Sequence, residues 1–477
     1  MEGEIKMSSK TATIRPFGAR DKVGYMFGNV ANDLTFIMAS MFLTVFYTDV
    51  LHINAALVGT MFLISRVVDA FTDTAMGRIA DKVKAGKAGK FKPWIIRMCG
   101  PVALASFLMY QTGVAELDMW VRIVYMFVTY LLWGSVCYTA INIPYGSMAS
   151  VMSAEADHRA ALSTFRGVGS LIPQVLVGVV MPMFLYTKLE DGTQVANAGA
   201  FPLVALGLAI AAAGCYLICY KMCTERIEVQ KKEESVSFAE TCKTLFTNRA
   251  LIGIVIVYIC FLGAQMLNQT INNYIFKDYF NNTMGLTVIN AAGFVPALAL
   301  APLAVPLSSK FGKKEIGIIA AIMGSVSYAL LFVLHTQNMW LYVILSILGS
   351  LGFGLFNLII WAFISDIIDD HEVRTGNRED GTVYAVCSFS RKIGQAIASA
   401  MGAWSLSLIG YVEGAAKQTD AVNNGIYNIA TLIPAILYVV VGLVLAFVYT
   451  LNKKKVLENV EILKAKRQEQ SEDVTAE

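Results

Sequence analysis

Ser65-Arg66-Val67-Val68-Asp69-Ala70-Phe71-Thr72-Asp73 sets three ionisable side chains inside residues 55–80, a run that otherwise reads as one membrane-spanning helix. A charge at that depth costs several kcal/mol. Such residues face a bundle interior or a wet cavity and mark function. Spacings of three (Arg66, Asp69) and four (Asp69, Asp73) bring the three groups near one helix face. Two carboxylates one turn apart repel when both are ionised. Entry of Na⁺, Li⁺ or a proton relieves the repulsion, because carboxylate oxygens suit hard cations. The competing reading is an Arg66–Asp69 ion pair that only locks helices together, and it leaves Asp73 unexplained.

The composition agrees with a chain built in lipid. Hydrophobic residues make up 56% and charged residues 15%, both displaced from soluble averages toward a membrane protein. The net charge, 38 − 35 = +3, gives no reason to expect a nucleic-acid partner. The four histidines are scattered, so there is no zinc pattern. Cys215, Cys219 and Cys223 repeat every four residues, which reads as helix packing by small hydrophobes. Residues 1–22 are polar and basic, and the apolar run after them is too long for the core of a signal peptide.

The chain divides into twelve spans. Six fall at about 24–49, 55–80, 94–115, 120–143, 160–186 and 198–222, and six at about 250–280, 285–308, 315–335, 340–368, 382–410 and 425–450. The expected organisation is an arm (1–22), a six-helix bundle (23–222), a linker with an amphipathic stretch (223–249), a second bundle (250–451) and a tail (452–477). The second half repeats the first. Lys310-Phe311-Gly312-Lys313-Lys314 answers the basic run Lys82–Lys92, Asp278 answers Asp49, and Arg391-Lys392 answers Arg166. Only the first half carries an acidic pair like Asp69 and Asp73. Lys and Arg collect in the loops after spans two, six and eight and at both ends of the chain, which predicts cytoplasmic termini.

Other polar groups sit where lipid would reject them. Asn29, Asn32 and Asp33 lie near the expected start of the first span, and Asp33 is too deep for a cap. Pro144 and Gly146 are expected to interrupt the fourth helix beside Thr139 and Asn142. Asp366, Asp369 and Asp370 close the tenth span and are expected to pair with Arg378 or with the lysines of residues 82–92 as a gate, with Arg66 assigned to the same gating set. Lys392, inside an apolar run, needs a partner or water. Asp33, Asn142, Tyr145 and Trp361 suit a hydroxylated substrate, since carboxylates and amides bind hydroxyls and aromatic rings cover sugar faces. No phosphate loop, GxSxG or histidine cluster is present, which argues against an enzyme and against an ATP-driven pump.

Asp33, Arg66-x-x-Asp69-x-x-x-Asp73, Lys90-Phe91-Lys92-Pro93-Trp94, Asn142-Ile143-Pro144-Tyr145 and Asp366-x-x-Asp369 with Gly376-x-Arg378-x-x-Gly381 and Lys392 occur in an order that resembles the glycoside–pentoside–hexuronide:cation symporters. The resemblance implies an all-α membrane protein of twelve transmembrane helices in two six-helix halves, the major facilitator fold. It implies a multi-pass protein of a bacterial inner membrane, with no cofactor, acting as a monomer in the lipid bilayer. The function implied is uptake of a small glycoside driven by Na⁺, Li⁺ or H⁺. By the family's pattern Asp69 and Asp73 form the cation site with Thr139, and Thr72 is a further candidate oxygen; Asp33, Asn142, Arg166 and Lys392 line or border the sugar, with Tyr145 and Trp361 as candidate aromatic contacts. Asn142 stands where melibiose-type members carry an acid, and Thr72 where their Na⁺-using members carry Asn. A transporter-like lipid carrier or a non-transporting sugar sensor is the alternative.

Overall fold

The structure, a computed structural model, describes residues 15–83, 86, 89–153, 155–227, 248–293, 300, 306–308, 310–375, 394–395, 397–398 and 400–476. Ten helices among these are long and apolar enough to cross a membrane. They match the expected spans except the eighth and the eleventh, each described only in part, the eighth chiefly as Met284–Ala292 and the eleventh from residue 394 onward. The amphipathic stretch expected in the linker also lies outside them.

Span two shows how the chain handles charge in lipid. Ile64, Val67 and Phe71 are exposed on one face, Phe71 by 73%. Arg66, Asp69 and Asp73 turn the other way, into the bundle. The helix is thus apolar outside and polar inside, which lipid favours.

Spans one and six pack closely, at glycine and cysteine. A Cβ on Gly24 would lie 2.6 Å from Met222 Cβ, and one on Gly28 would lie 2.8 Å from Cys219 Sγ. Small residues let helix backbones approach where apolar contact alone gives no advantage over lipid. The cysteine repeat therefore serves packing, as its spacing suggested.

Two expectations about helix limits are corrected. Span one begins at Ala19, so Asp33 is its fifteenth residue and lies mid-helix, not near the start. The fourth helix does not stop at Pro144: it runs on as Thr139–Met152 with the proline inside. The irregularity lies earlier, in a π-helical stretch, Leu132–Tyr138. One widened turn there absorbs the irregularity, which keeps the backbone hydrogen-bonded.

The repeat of the two halves is visible in their first helices. Span one ends in a π-helical turn, Phe46–Val50, and span seven ends in another, Ile275–Tyr279. Asp49 and Asp278 occupy the same place in the two turns. A short hairpin, Tyr186–Lys188 paired with Gln194–Ala196, joins spans five and six on that side. Its Gln194 N–H donates to Asn281 Oδ1 of the other half at 2.7 Å.

Both ends of the described membrane domain, at Arg15 and Lys453, lie on the opposite side, here called the terminal face. Lys453 Nζ donates to Lys310 O there, and Arg15 donates to Met222 O. Buried Asp21 pairs with Arg15 and Arg226, each at 2.8 Å, and Glu225 accepts from the N–H groups of Lys90, Phe91 and Lys92 at 2.6–2.9 Å. The start of the linker is thereby tied to the first bundle. The segment expected as the tail contains a helix, Lys453–Ala476, with Leu463 buried.

Hydrogen bonds between described residues of the two halves lie away from the terminal face. At their centre Lys277 pairs with Asp49 and, at 3.3 Å, with Asp278. Tyr411 OH donates to Asp49 at 2.9 Å. The Lys277, Asp49 and Asp278 side chains are 4%, 5% and 2% exposed. Thr48 and Tyr274 share a hydrogen bond, and Trp404 Nε1 donates to Ala56 O. This far face is closed.

Candidate functional site

Spans one, two, four and five enclose a cavity of about 260 Å³. Asn29, Asp33, Arg66, Asp69, Asp73, Thr139, Asn142 and Arg166 line it, with Gln395 from the second half.

Its acidic wall has two rungs. Ser135 Oγ donates to Asp69 Oδ1 at 2.5 Å, and Thr139 Oγ1 donates to Asp73 Oδ1 at 2.9 Å. Asp69 and Asp73 are one turn apart on span two; Ser135 and Thr139 are one turn apart on span four. The widened turn of span four also exposes Gly134 O, which accepts from Thr139 Oγ1 at 3.2 Å. Arg66 Nη1 approaches Asp69 Oδ2 at 3.4 Å. Two carboxylates, two hydroxyls and a backbone carbonyl supply the hard oxygens that a small cation takes.

The opposite wall is built on Asn29. Its Nδ2 donates to Asp33 Oδ2 and to Ser170 Oγ, both at 2.7 Å. Its Oδ1 accepts from Arg166 Nε at 3.0 Å. One buried amide thus holds a carboxylate and a guanidinium apart, and no salt bridge joins Asp33 to Arg166. The outer nitrogens of Arg166 remain for a ligand, in the fork geometry that grips carboxylates.

Several expected site residues sit elsewhere. Tyr145 is fully buried behind the wall; its hydroxyl donates to Tyr25 O and its ring lies 5.6 Å below the Arg166 guanidinium. It supports Arg166 and does not face the cavity. Thr72 Oγ1 bonds back to Val68 O and Asp69 O of its own helix. Asn32 turns from the cavity to accept from Tyr216 OH. Arg66 lies in the cavity, not at a cytoplasmic gate. Asp366 pairs with Lys313 at 2.6 Å, and Asp370 with Arg374 and Asn459, all within the second half. Asp369 belongs to the same helix, Met339–Thr375. Arg378, Lys392 and the Trp361 side chain lie outside the described residues.

The sequence reading missed Ser135, Asn29's bridging role, Gln395 and the aromatic lining. The four-residue spacing shared by Asp69/Asp73 and Ser135/Thr139 was the available signal. Phe36, Tyr130, Trp133 and Tyr138 form the aromatic wall, with Trp133 and Tyr138 ring centres 5.4 Å apart.

Residues 24–453 match the family described as MFS/sugar transport protein. The chain is 31% identical over 442 residues to the glucuronide carrier protein homolog of Escherichia coli strain K12, covering 92% of this chain and 94% of that one. It belongs to the glycoside–pentoside–hexuronide symporter family of major facilitator sugar transporters. The isoprimeverose transporter of Lactiplantibacillus pentosus is 28% identical, over 84% of this sugar transporter and 83% of that protein. Among solved structures, a bacterial homologue of the human lysosomal transporter Spinster, in an inward-facing and unoccupied conformation, aligns with a TM-score of 0.67 at 10% identity, covering 93% and 99% of the two chains. The xylose transporter XylE of E. coli, in its inward-open conformation, aligns at 0.60 and 12%, covering 93% and 98%. These likenesses establish the major facilitator fold. The transporter is a multi-pass membrane protein and not an enzyme.

Proposed function

We propose that this sugar transporter takes up a hexuronide, an acidic glycoside, by symport with Na⁺, Li⁺ or H⁺. The observation that carries the reading is one cavity in which two carboxylate–hydroxyl rungs stand beside an arginine fork held on an amide. The described charges of the cavity are Asp33, Asp69 and Asp73 against Arg66 and Arg166, a balance of 2 − 3 = −1. One entering monovalent cation neutralises it. Binding at Asp69 and Asp73 relieves their repulsion, draws span two against span four, and steadies the wall that holds the sugar. Sugar and cation then raise each other's affinity by the same factor.

Arg166 takes the uronate carboxylate, Asp33 and Asn142 take ring hydroxyls, and the Trp133–Tyr138 wall covers the sugar face. Asn142 in place of an acid keeps a second negative charge away from an anionic sugar. The name of the glucuronide carrier relative agrees with this choice. The protein is placed in a bacterial inner membrane with its basic terminal face in the cytoplasm, so the closed far face is external and the cavity is reached from inside.

The test is transport by the full chain in proteoliposomes, using a radiolabelled glucuronide and a neutral galactoside under Na⁺, Li⁺ or proton gradients. The expected result is glucuronide accumulation driven by one of these gradients. Asp69→Asn and Asp73→Asn should abolish accumulation yet retain exchange, and Arg166→Gln should lose the glucuronide. Wild-type ion dependence in both Asp variants would remove the pair from coupling. Equal uptake of glucuronide by Arg166→Gln would remove the hexuronide assignment.

A further inference from the structure

A second, larger cavity of about 390 Å³ lies between span five and the second half, and nothing in the proposed sugar and cation site uses it. It falls within the size range of small-molecule sites. Its lining differs in kind from that of the first cavity. Among the described residues no Asp, Glu, Lys or Arg lines it; amides dominate. Gln265, Asn268, Gln269 and Asn272 contribute four of these from span seven alone. Their spacing, 0, 3, 4 and 7, is one helix face. Gln174 faces them from span five, and Asn357 comes from span ten.

A carboxamide both donates and accepts, as a sugar hydroxyl does, and carries no charge. A helix face of four amides in an apolar span is costly unless the groups meet polar partners. Some of that capacity is unspent within the protein. Asn268 Nδ2 donates to Tyr328 OH at 2.7 Å, but Asn268 Oδ1 and Gln269 Oε1 are buried in the wall with no hydrogen-bond partner. Small side-chain rotations would offer these acceptors to a hydroxylated ligand. Tyr328 and Tyr438, stacked with centroids 5.9 Å apart, add an aromatic surface to the same cavity.

The two cavities adjoin along span five. Arg166 faces the first, while Gly167 and Ser170 face the second. Ser170 Oγ accepts from Asn29, the amide that holds Arg166 and Asp33. One ligand can therefore touch both cavities across the Ser170 position.

We infer that the amide-lined cavity is a subsite for an uncharged polyhydroxylated unit, so that the substrate is bipartite: an acidic sugar at Arg166 linked to a neutral sugar in the second half. This rests on the hexuronide reading of the first cavity. It narrows the substrate to a disaccharide, or longer glycoside, of mixed charge.

The experiment is equilibrium binding to the full-length transporter in lipid nanodiscs, with two probes: a uronic acid linked to a neutral hexose, and the methyl glycoside of the same uronic acid. The wild type should bind the disaccharide at least about tenfold more tightly, as one or two extra hydrogen bonds provide. Gln265→Leu and, on the opposite wall, Gln174→Leu should each weaken the disaccharide about five- to tenfold. Both should leave the methyl uronide within about twofold, which also shows that the variants are folded. Equal affinity of the wild type for the two probes, failure to bind either, or parallel loss of both probes in the leucine variants would overturn the inference. Arg166→Gln reports the other reading separately, since it should weaken both probes alike. If it weakens neither while the leucine variants still separate the probes, the uronate assignment falls and the amide subsite stands.

Discussion

Replacing Lys277 by Met removes the ammonium that holds Asp49 and Asp278 together across the two halves. All three side chains are 5% exposed or less, so water screens the interaction little. Breaking a buried ion pair by deleting one partner costs about 3–5 kcal/mol. When the halves part at this face, water reaches the carboxylates, and the penalty falls on the closed far face alone. Taking about 3 kcal/mol, the balance between far-face-closed and far-face-open forms shifts roughly 100-fold toward opening. Spin labels at Leu189 and Val412, exposed positions on opposite halves, read this balance as a distance distribution. Lys277→Met should lengthen that distance. Asp49→Asn added to Lys277→Met should recover part of the closed population, because one of the two stranded carboxylates is then neutral. A distribution in Lys277→Met superimposable on the wild type would refute the reasoning, and the cluster would then be a packing feature with no bearing on state.

Two further outcomes are expected. Asn29→Ala leaves every charge in place but frees Arg166 and Asp33; sugar affinity should fall about tenfold in equilibrium binding, the worth of one or two ligand hydrogen bonds, with cation dependence retained. Glu225→Ala removes the acceptor of three backbone N–H groups ahead of span three and should lower local stability by about 2 kcal/mol. It should appear as faster amide hydrogen exchange across residues 89–95, and unchanged exchange there would show that the linker does not pin this loop.

Much of the fold was legible because a membrane span is a long apolar run, and ten such runs returned as helices. The cation candidates were legible for the same reason in reverse: Asp69 and Asp73 stand out against lipid, and their spacing placed them on one face. What failed was direction. Tyr145 and Thr72 have site-like side chains at site-like depth, but one supports Arg166 from behind and the other bonds its own helix. A helix faces several neighbours, and sequence spacing does not say which neighbour holds the ligand. Asp366 shows a different limit. Its charge and position at a helix end were evident, yet it pairs with Lys313 on the preceding helix of its own half, not with the first half. The amide stripe of span seven went unnoticed because its groups carry no charge, and charge inside a span was the signal that marked candidate sites.

The closing seam also bears on the ancestry of the two halves. Phe46-Tyr47-Thr48-Asp49-Val50 and Ile275-Phe276-Lys277-Asp278-Tyr279 are corresponding turns, and the difference that matters is Thr48 against Lys277. Had both copies of the repeat kept threonine, the seam would set two acids face to face with nothing between them. Had both acquired lysine, two ammonium groups would crowd the space that one now fills. A single departure from symmetry lets one cation serve both acids. The halves, alike in fold, have thereby ceased to be interchangeable at the place where they meet.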